Sequence, residues 1–436
     1  MYKFIKCMNF KSISSILSGL LKSSRKCHNR NVVENIEEGR SKMSIQKPMN
    51  YNKITTIFFI AGIIVMSSLY TAIPLTAEFA KDFKIPQSIA TLNGVAFSIT
   101  YSVSCLFYGT ISEKYGRIRT ILFGISGLVL ICLVIGFVHS FTILVILRAI
   151  QGIFAATFSP ISITYVTETY APVKRMTAIS FISTSFMLSG IIGQNLSEII
   201  VGFSNWHMVY FTLTVLYIIL AFVILKQIPE SPVKNPNIQL LKFFNNFSDF
   251  KTNKAVLLCY GVSLTLLTMF ISMYTVFNNY VTSDTIGGNE TTAINAKLFG
   301  IIGMLLSLVA GRISDRIGVK NLILGALIVS TGSLILMSMT TNIVLLIFWS
   351  VLFVSGIAFA IPSTISKVGL TVNGNQGFFL SVNTFILFLG TAIAPVLSIV
   401  LNAISSFTIQ FNIIAAIGII AIIIALCLPR RKHEVR

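Results

Sequence analysis

This sequence predicts an all-α integral membrane protein of twelve transmembrane helices, arranged as two pseudo-symmetric bundles of six. Three observations lead there. Hydrophobic residues make up 54% of the 436 and charged residues only 11%, where soluble domains carry about 25% charged residues. Uncharged apolar stretches recur along nearly the whole chain, each long enough for a helix of roughly 20 residues to cross about 30 Å of hydrocarbon. A ten-residue pattern occurs at 109–118 and again at 311–320, an offset of 202, and the first apolar stretch of each half starts at Ile54 and near Ala255, an offset of 201. A motif and its phase repeating together mark a duplicated membrane unit.

Residues 1–50 are a polar, basic N-terminal extension expected in the cytoplasm. Phe10, Ile13, Ile16, Leu17, Leu20 and Leu21 recur there at helical spacing among Lys6, Lys11 and Lys22, a pattern able to lie on an anionic leaflet. A disordered extension, or a start at Met43 or Met49, is the simpler account. The first half, 51–227, takes its spans from uncharged stretches at 54–77, 85–112, 120–147, 176–197 and 199–225, with a further span near 149–167. Residues 228–253 read as a cytoplasmic linker punctuated by Pro229, Pro232 and Pro236. The second half, 254–429, opens with 255–283, adds a span near 293–312, and has room for two helices each in 321–366 and 368–429. Arg430, Arg431 and Lys432 then give a basic stop, and 430–436 is a short cytoplasmic tail.

The net charge of +19 raises the question of nucleic acid. Of the 33 Lys and Arg, eleven precede the first span and eighteen fall in the loops and tail expected inside; only Lys81, Lys84 and Lys297 fall outside, and Arg148 lies within a span. That bias is the positive-inside rule, and it predicts both termini in the cytoplasm of a multi-pass protein of the cell membrane. Insertion topology and anionic lipid therefore explain the charge, and nucleic acid is not an expected partner. The six cysteines show no CxxC spacing and read as small core residues, so neither a disulfide framework nor a metal site is expected.

The first copy of the repeat contains Gly109, Glu113, Lys114, Gly116 and Arg117; the second contains Gly311, Asp315, Arg316 and Gly318. Glycines at 109 and 311 allow close helix approach, those at 116 and 318 a tight turn, and the acids suit a helix N-terminus or a cation. Both copies resemble the G-x-x-x-D-R-x-G-R/K loop of the major facilitator superfamily, with Glu113-Lys114 replacing Asp-Arg in the first. Arg148-Ala149-Ile150-Gln151-Gly152 resembles the R-x-x-Q-G motif of its drug–proton antiporter branches. Gly190 and Gly193 partly resemble the glycine-rich antiporter motif, with Gln194 in place of its proline and Ser197-Glu198 in place of its glycine pair. The resemblance covers about 51–429. It implies two bundles around a cavity open alternately to either side, with Glu113 and Asp315 engaged as latches when the cytoplasmic side is closed. Because Lys lacks the bidentate fork of Arg, the first latch is expected to be the weaker.

An Arg inside a span costs roughly 2.5 kcal/mol or more unless paired or wet. Arg148 and Glu198 lie at similar depth in consecutive helices, so they are expected to pair, with Glu198 carrying an exchangeable proton. Two plainer readings stand beside that one: Arg148 locking helices through backbone carbonyls, and Glu198 facing water at the interface. Glu168 reads as a boundary charge. Tyr70, Asn93, Gln151, Asn195, Tyr274, Asn278 and Asn383 are the candidate substrate-binding residues, with Met269, Met273, Phe277, Phe385 and Phe388 near them as a pliable apolar lining.

The expected activity is secondary transport, most simply proton-coupled efflux of small amphipathic or drug-like molecules by a monomer in contact with protons, cargo and lipid. A sugar, amino-acid or other metabolite transporter of the same superfamily is the alternative. No P-loop and no nucleotide-binding domain is recognisable, so direct ATP drive, a cofactor and an enzymatic reaction are not expected.

Overall fold

The computed structural model describes residues 50–232, 253–372 and 376–429. The readings of 1–49, of the linker from 233 to 252 and of the tail from 430 lie outside the described residues. Among the described residues, twelve helices are long and apolar enough to cross a membrane. They are α1 (Tyr51–Asp82), α2 (Gln87–Tyr115), α3 (Arg117–Ile135), α4 (Phe141–Thr169), α5 (Pro172–Phe203) and α6 (Trp206–Gln227) in the first half. In the second half they are α7 (Lys254–Val281), α8 (Asn295–Ile317), α9 (Val319–Ser338), α10 (Ile343–Thr371), α11 (Gln376–Asn402) and α12 (Phe407–Leu426).

Local chemistry sets the boundaries. Asn253 and Asn342 accept backbone N–H bonds at the starts of α7 and α10, satisfying donors that a helix leaves free. Pro172 opens α5, where its missing N–H is harmless. Gly116 and Gly318, at φ 110° and 82°, turn the chain between α2 and α3 and between α8 and α9; those conformations favour a residue without Cβ. Helix α4 begins at Phe141, which sets Arg148 about two turns inside it, as the sequence predicts. One boundary differs from the sequence reading: α10 continues to Thr371, which places Lys367 as a buried residue inside a helix instead of in a loop.

The helix pairs repeat between halves. In the first, α1 packs on α5, α2 on α4 and α3 on α6; in the second, α7 packs on α11, α8 on α10 and α9 on α12. The halves meet through α2 against α11 and α5 against α8 and α10. Outward faces remain apolar: Phe123, Phe222, Ile328 and Ile423, on α3, α6, α9 and α12, are all more than half exposed. Such surface suits hydrocarbon and not water. The side on which α1 starts, and on which α6 ends and α7 begins, is called the linker side below; the opposite side is the far side.

Candidate functional site

Both copies of the repeat sit where the halves touch on the linker side. A Cβ built on Gly109 would collide with the carbonyl oxygen of Gly377 and the hydroxyl of Ser381 on α11. A Cβ on Gly311 would collide with the hydroxyl of Thr177 and lie 2.9 Å from its backbone nitrogen on α5. The two small residues thus let α2 press on α11 and α8 press on α5 in a pseudo-symmetric seal.

Behind the first seal Arg117 is fully buried at the start of α3. Its Nε and Nη2 donate to the two carboxylate oxygens of Glu168 on α4, at 3.2 and 2.5 Å. Its Nη1 donates to the Gly109 carbonyl and the Ser112 hydroxyl, both at 2.6 Å, and Glu113 approaches to 3.7 Å. A bidentate fork with its remaining donors filled is the arrangement in which a buried Arg is tolerated. The N-terminus of α3 is met by Glu230, which accepts from the backbone nitrogens of Ile118 and Arg119 at 2.9 and 3.1 Å. Ser231 donates to Glu168 at 3.2 Å. Sequence reasoning gave Glu168 as a boundary charge and did not single out Glu230; no local signal marks either, since their partners lie 51 and 112 residues away.

The second copy is built differently. Val319 stands 202 residues after Arg117, so no buried guanidinium exists there. Lys320 instead donates to the carbonyl of Leu426, at 2.7 Å, and to that of Leu428. Asp315 and Arg316 are exposed. Asp315 forms no ion pair among the described residues and lines an open linker-side cleft of about 480 Å³ with Arg175 and Met176. The expectation of two matched acidic latches is thereby corrected: with the glycine contacts closed, Asp315 remains free. The expectation of a weaker first copy also changes, because the polar network is concentrated there. Lys114 takes no part in it and lies over the Tyr115 ring at 5.6 Å.

On the far side of α4, Arg148 is fully buried. Its Nη1 donates to the Ser68 carbonyl on α1 at 2.9 Å and to Gln151 Oε1 at 2.6 Å, and its guanidinium lies 4.5 Å from the Phe97 ring centroid on α2. Gln151 in turn donates to Cys132 Sγ at 3.0 Å. Nε and Nη2 of Arg148 meet no acceptor among the described residues. The expected partner does not arrive: Glu198 is exposed on α5 and acts electrostatically on Lys297 of α8. Arg148 is fully buried while Glu198 is exposed, so the two face different surroundings. Since α4 and α5 belong to the same half, rocking of one half on the other would not bring them together.

A second cleft, of about 330 Å³, opens between the halves on the far side, bounded by α1, α5, α7 and α8. Tyr70, Tyr274 and Asn278 from the candidate list line it, joined by Gln194, Asn279 and Lys297. The other candidates lie elsewhere. Asn93 is buried and bonds the Ala90 carbonyl at 2.6 Å; Asn195 bonds back to Ile191 at 2.8 Å. Asn383 is buried and accepts from Ser263 on α7 at 2.8 Å, and Gln151 serves Arg148. Met269, Met273 and Phe277 are buried within the second half. Gly193 lets α5 ride 2.9 Å (as a built Cβ) from the Ser67 carbonyl, so this partial motif shapes the α1–α5 wall.

The floor of this cleft is aromatic. Phe388 of α11 meets Tyr101 of α2 edge-on at 4.9 Å and Phe186 of α5 at 6.4 Å, leaving a residual void of about 10 Å³ beside Tyr70 and Leu387. The far-side cleft is thus separated from the linker side by rings and then by the glycine contacts. At the far-side rim Trp206 donates to Asp82 at 2.9 Å and stacks on His207, fitting an interfacial anchor. Among the described residues no cluster of His, Cys, Asp and Glu could hold a metal.

The sequence profile of the Major Facilitator Superfamily matches residues 58–366 and 285–436. The chain is 28% identical to the uncharacterized MFS-type transporter YybF of Bacillus subtilis over 292 residues, 65% of this chain and 71% of that protein. It is 29% identical to multidrug resistance protein D of Escherichia coli over 39% of this chain and 43% of that one. It is 27% identical to the bicyclomycin resistance protein homolog of Haemophilus influenzae over 44% and 49%. The chain therefore spans under half the length of these two resistance proteins. Among solved structures it resembles the human organic anion transporter MFSD10 (TETRAN), with a TM-score of 0.71, 15% identity and coverage of 87% of this chain and 100% of that one. It also resembles the proton:xylose symporter XylE, with a TM-score of 0.66, 15% identity and coverage of 86% and 95%; at that identity both likenesses concern the fold. With a profile match over most of its length, repeated helix pairs and glycine seals at both copies of the loop, the chain belongs to the Major Facilitator Superfamily of membrane transporters.

Proposed function

We propose that this protein exports small amphipathic or drug-like molecules in exchange for protons, by alternating access, with the linker side cytoplasmic. The observation that carries the reading is the arrangement of one pathway: a far-side cleft lined by Tyr70, Gln194, Tyr274 and Asn278, an aromatic floor at Phe186 and Phe388, and glycine contacts that hold the halves together on the linker side at α2–α11 and α5–α8. This is an outward-facing state, and rocking the halves would exchange the open side. The charge bias of the loops supports the orientation, and two relatives are named for drug resistance. The amide and phenol groups of the cleft would also hold a hydrogen-bonding metabolite, which keeps that alternative in the same experiment.

The test is transport by the purified full chain in liposomes under an imposed pH gradient, across a panel of amphipathic drugs, sugars and amino acids. Drug movement that stops when the gradient is collapsed is the expected result; gradient-independent movement, or movement of metabolites alone, contradicts the reading. Proton coupling is assigned to Glu198 and Arg148. Glu198 faces water in the outward state, as an acid that loads on that side requires, and Glu198→Gln is expected to retain binding but remove its dependence on pH. Arg148 is a buried cation without a carboxylate partner and with Nε and Nη2 unfilled among the described residues, so its removal relieves a desolvation cost that offsets the loss of its hydrogen bonds to Ser68 and Gln151. Arg148→Met should therefore unfold no earlier than the parent in a thermal assay, yet lose coupled transport. A large drop in melting temperature would make Arg148 a structural lock instead.

A further inference from the structure

The far-side cleft carries a single charge. Among its lining residues Lys297 is the one Lys or Arg, and there is no Asp or Glu. The sequence count places Lys297 on the outer side; the structure sets it two residues inside the start of α8, half-buried in the cleft wall. Its ammonium donates no hydrogen bond to a described residue and forms no ion pair there. Glu198, one turn beyond Gln194 on the opposing α5, lies outside ion-pair distance of Lys297 and faces water. Met187, Ile191 and Phe270 supply apolar wall beside it, and Tyr70, Gln194 and Asn278 supply hydrogen-bonding groups.

A fixed cation in a narrow cleft with low-dielectric walls attracts anions and repels cations far more strongly than it would in water. An unpaired ionisable group within a membrane span is costly and by default functional. A lipophilic cation, by contrast, finds no carboxylate in this lining. We propose that the cleft selects small amphipathic monoanions, whose carboxylate or sulfonate is held by Lys297 while the apolar body lies on Met187, Ile191 and Phe270. The inference rests on the cleft being the substrate site proposed above, and it narrows the cargo to an anion. With the linker side cytoplasmic, export of such cargo also runs with the membrane potential.

Three probes of matched shape test it: naphthylacetate, naphthylacetamide and naphthylmethylammonium, measured for binding to the full chain in phosphatidylcholine nanodiscs. The parent protein is expected to bind the acetate about tenfold more tightly than the amide, and the ammonium most weakly. Lys297→Gln should erase that order, Lys297→Glu should reverse it, and Lys297→Arg should keep it. Glu198→Gln, which removes the competing negative charge, should tighten the acetate. Asn278→Asp puts an acid in the same cleft without touching the lysine and should weaken the preference, which keeps the test decisive if the lysine variants do not fold. Equal affinities in the parent, an order that survives Lys297→Gln, or a preference undiminished by Asn278→Asp overturns the inference while leaving the substrate site standing. Absence of binding by all three overturns both.

Discussion

Glu168→Gln is expected to destabilise the protein by about 3–5 kcal/mol, the usual cost of removing one partner from a buried ion pair. Arg117 has no access to water and takes its countercharge from Glu168 at 2.5 and 3.2 Å, with Glu113 more distant at 3.7 Å. The glutamine keeps the size of the side chain but not its charge, so the guanidinium is left with one distant acid and a carbonyl, a hydroxyl and an amide. Thermal unfolding of purified protein in detergent checks it. Replacing both partners together, Arg117→Met with Glu168→Met, is expected to restore most of the loss, because the penalty belongs to the stranded charge and not to the missing attraction. A double-mutant cycle gives the coupling directly. A single variant as stable as the parent would show that the pair contributes no stability to the first half.

Gly109→Val is expected to open the linker side. The new side chain would begin inside the space of the Gly377 carbonyl and the Ser381 hydroxyl, and backbone cannot yield as a flexible side-chain tip can. Overpacking of that kind costs about 1–3 kcal/mol. Charged to the closed state alone, it shifts a two-state equilibrium by about 5- to 150-fold toward the open one. Spin labels at Tyr115 and Ile317, both exposed on the linker side, placed in a background without the native cysteines, should report longer distances and a second population in the variant. Transport should fall because the outward-facing state is no longer reached. An unchanged distance distribution with normal transport contradicts a seal at this position.

These two sites differ in how visible they are before folding. Gly109 and Gly311 stand out because they recur in phase, and a glycine pressed into a facing helix is what such a motif requires. Arg117 stands in the same motif, yet its partner on α4 carries no mark of its own, and the Glu230 that meets α3 lies past the end of α6. The case of Arg148 and Glu198 is sharper. Their distances from the span ends predict equal depth, but successive residues on a helix turn by about 100°. Direction around the axis is fixed only by which neighbours each helix packs against. The same reason sends Asn93, Asn195 and Asn383 away from the cleft while Tyr70, Tyr274 and Asn278 line it.

By itself the sequence determined the membrane class, the twelve spans, the duplication and the two in-phase glycine loops, because each depends on local hydrophobic length or local glycine geometry. Only the tertiary structure decided which acid neutralises Arg117, that Arg148 rests on a ring and a carbonyl in place of a carboxylate, and that Lys297 stands alone in the cleft. Those outcomes depend on the rotation and tilt of helices remote in sequence, which packing across the whole assembly sets and no short stretch of chain encodes.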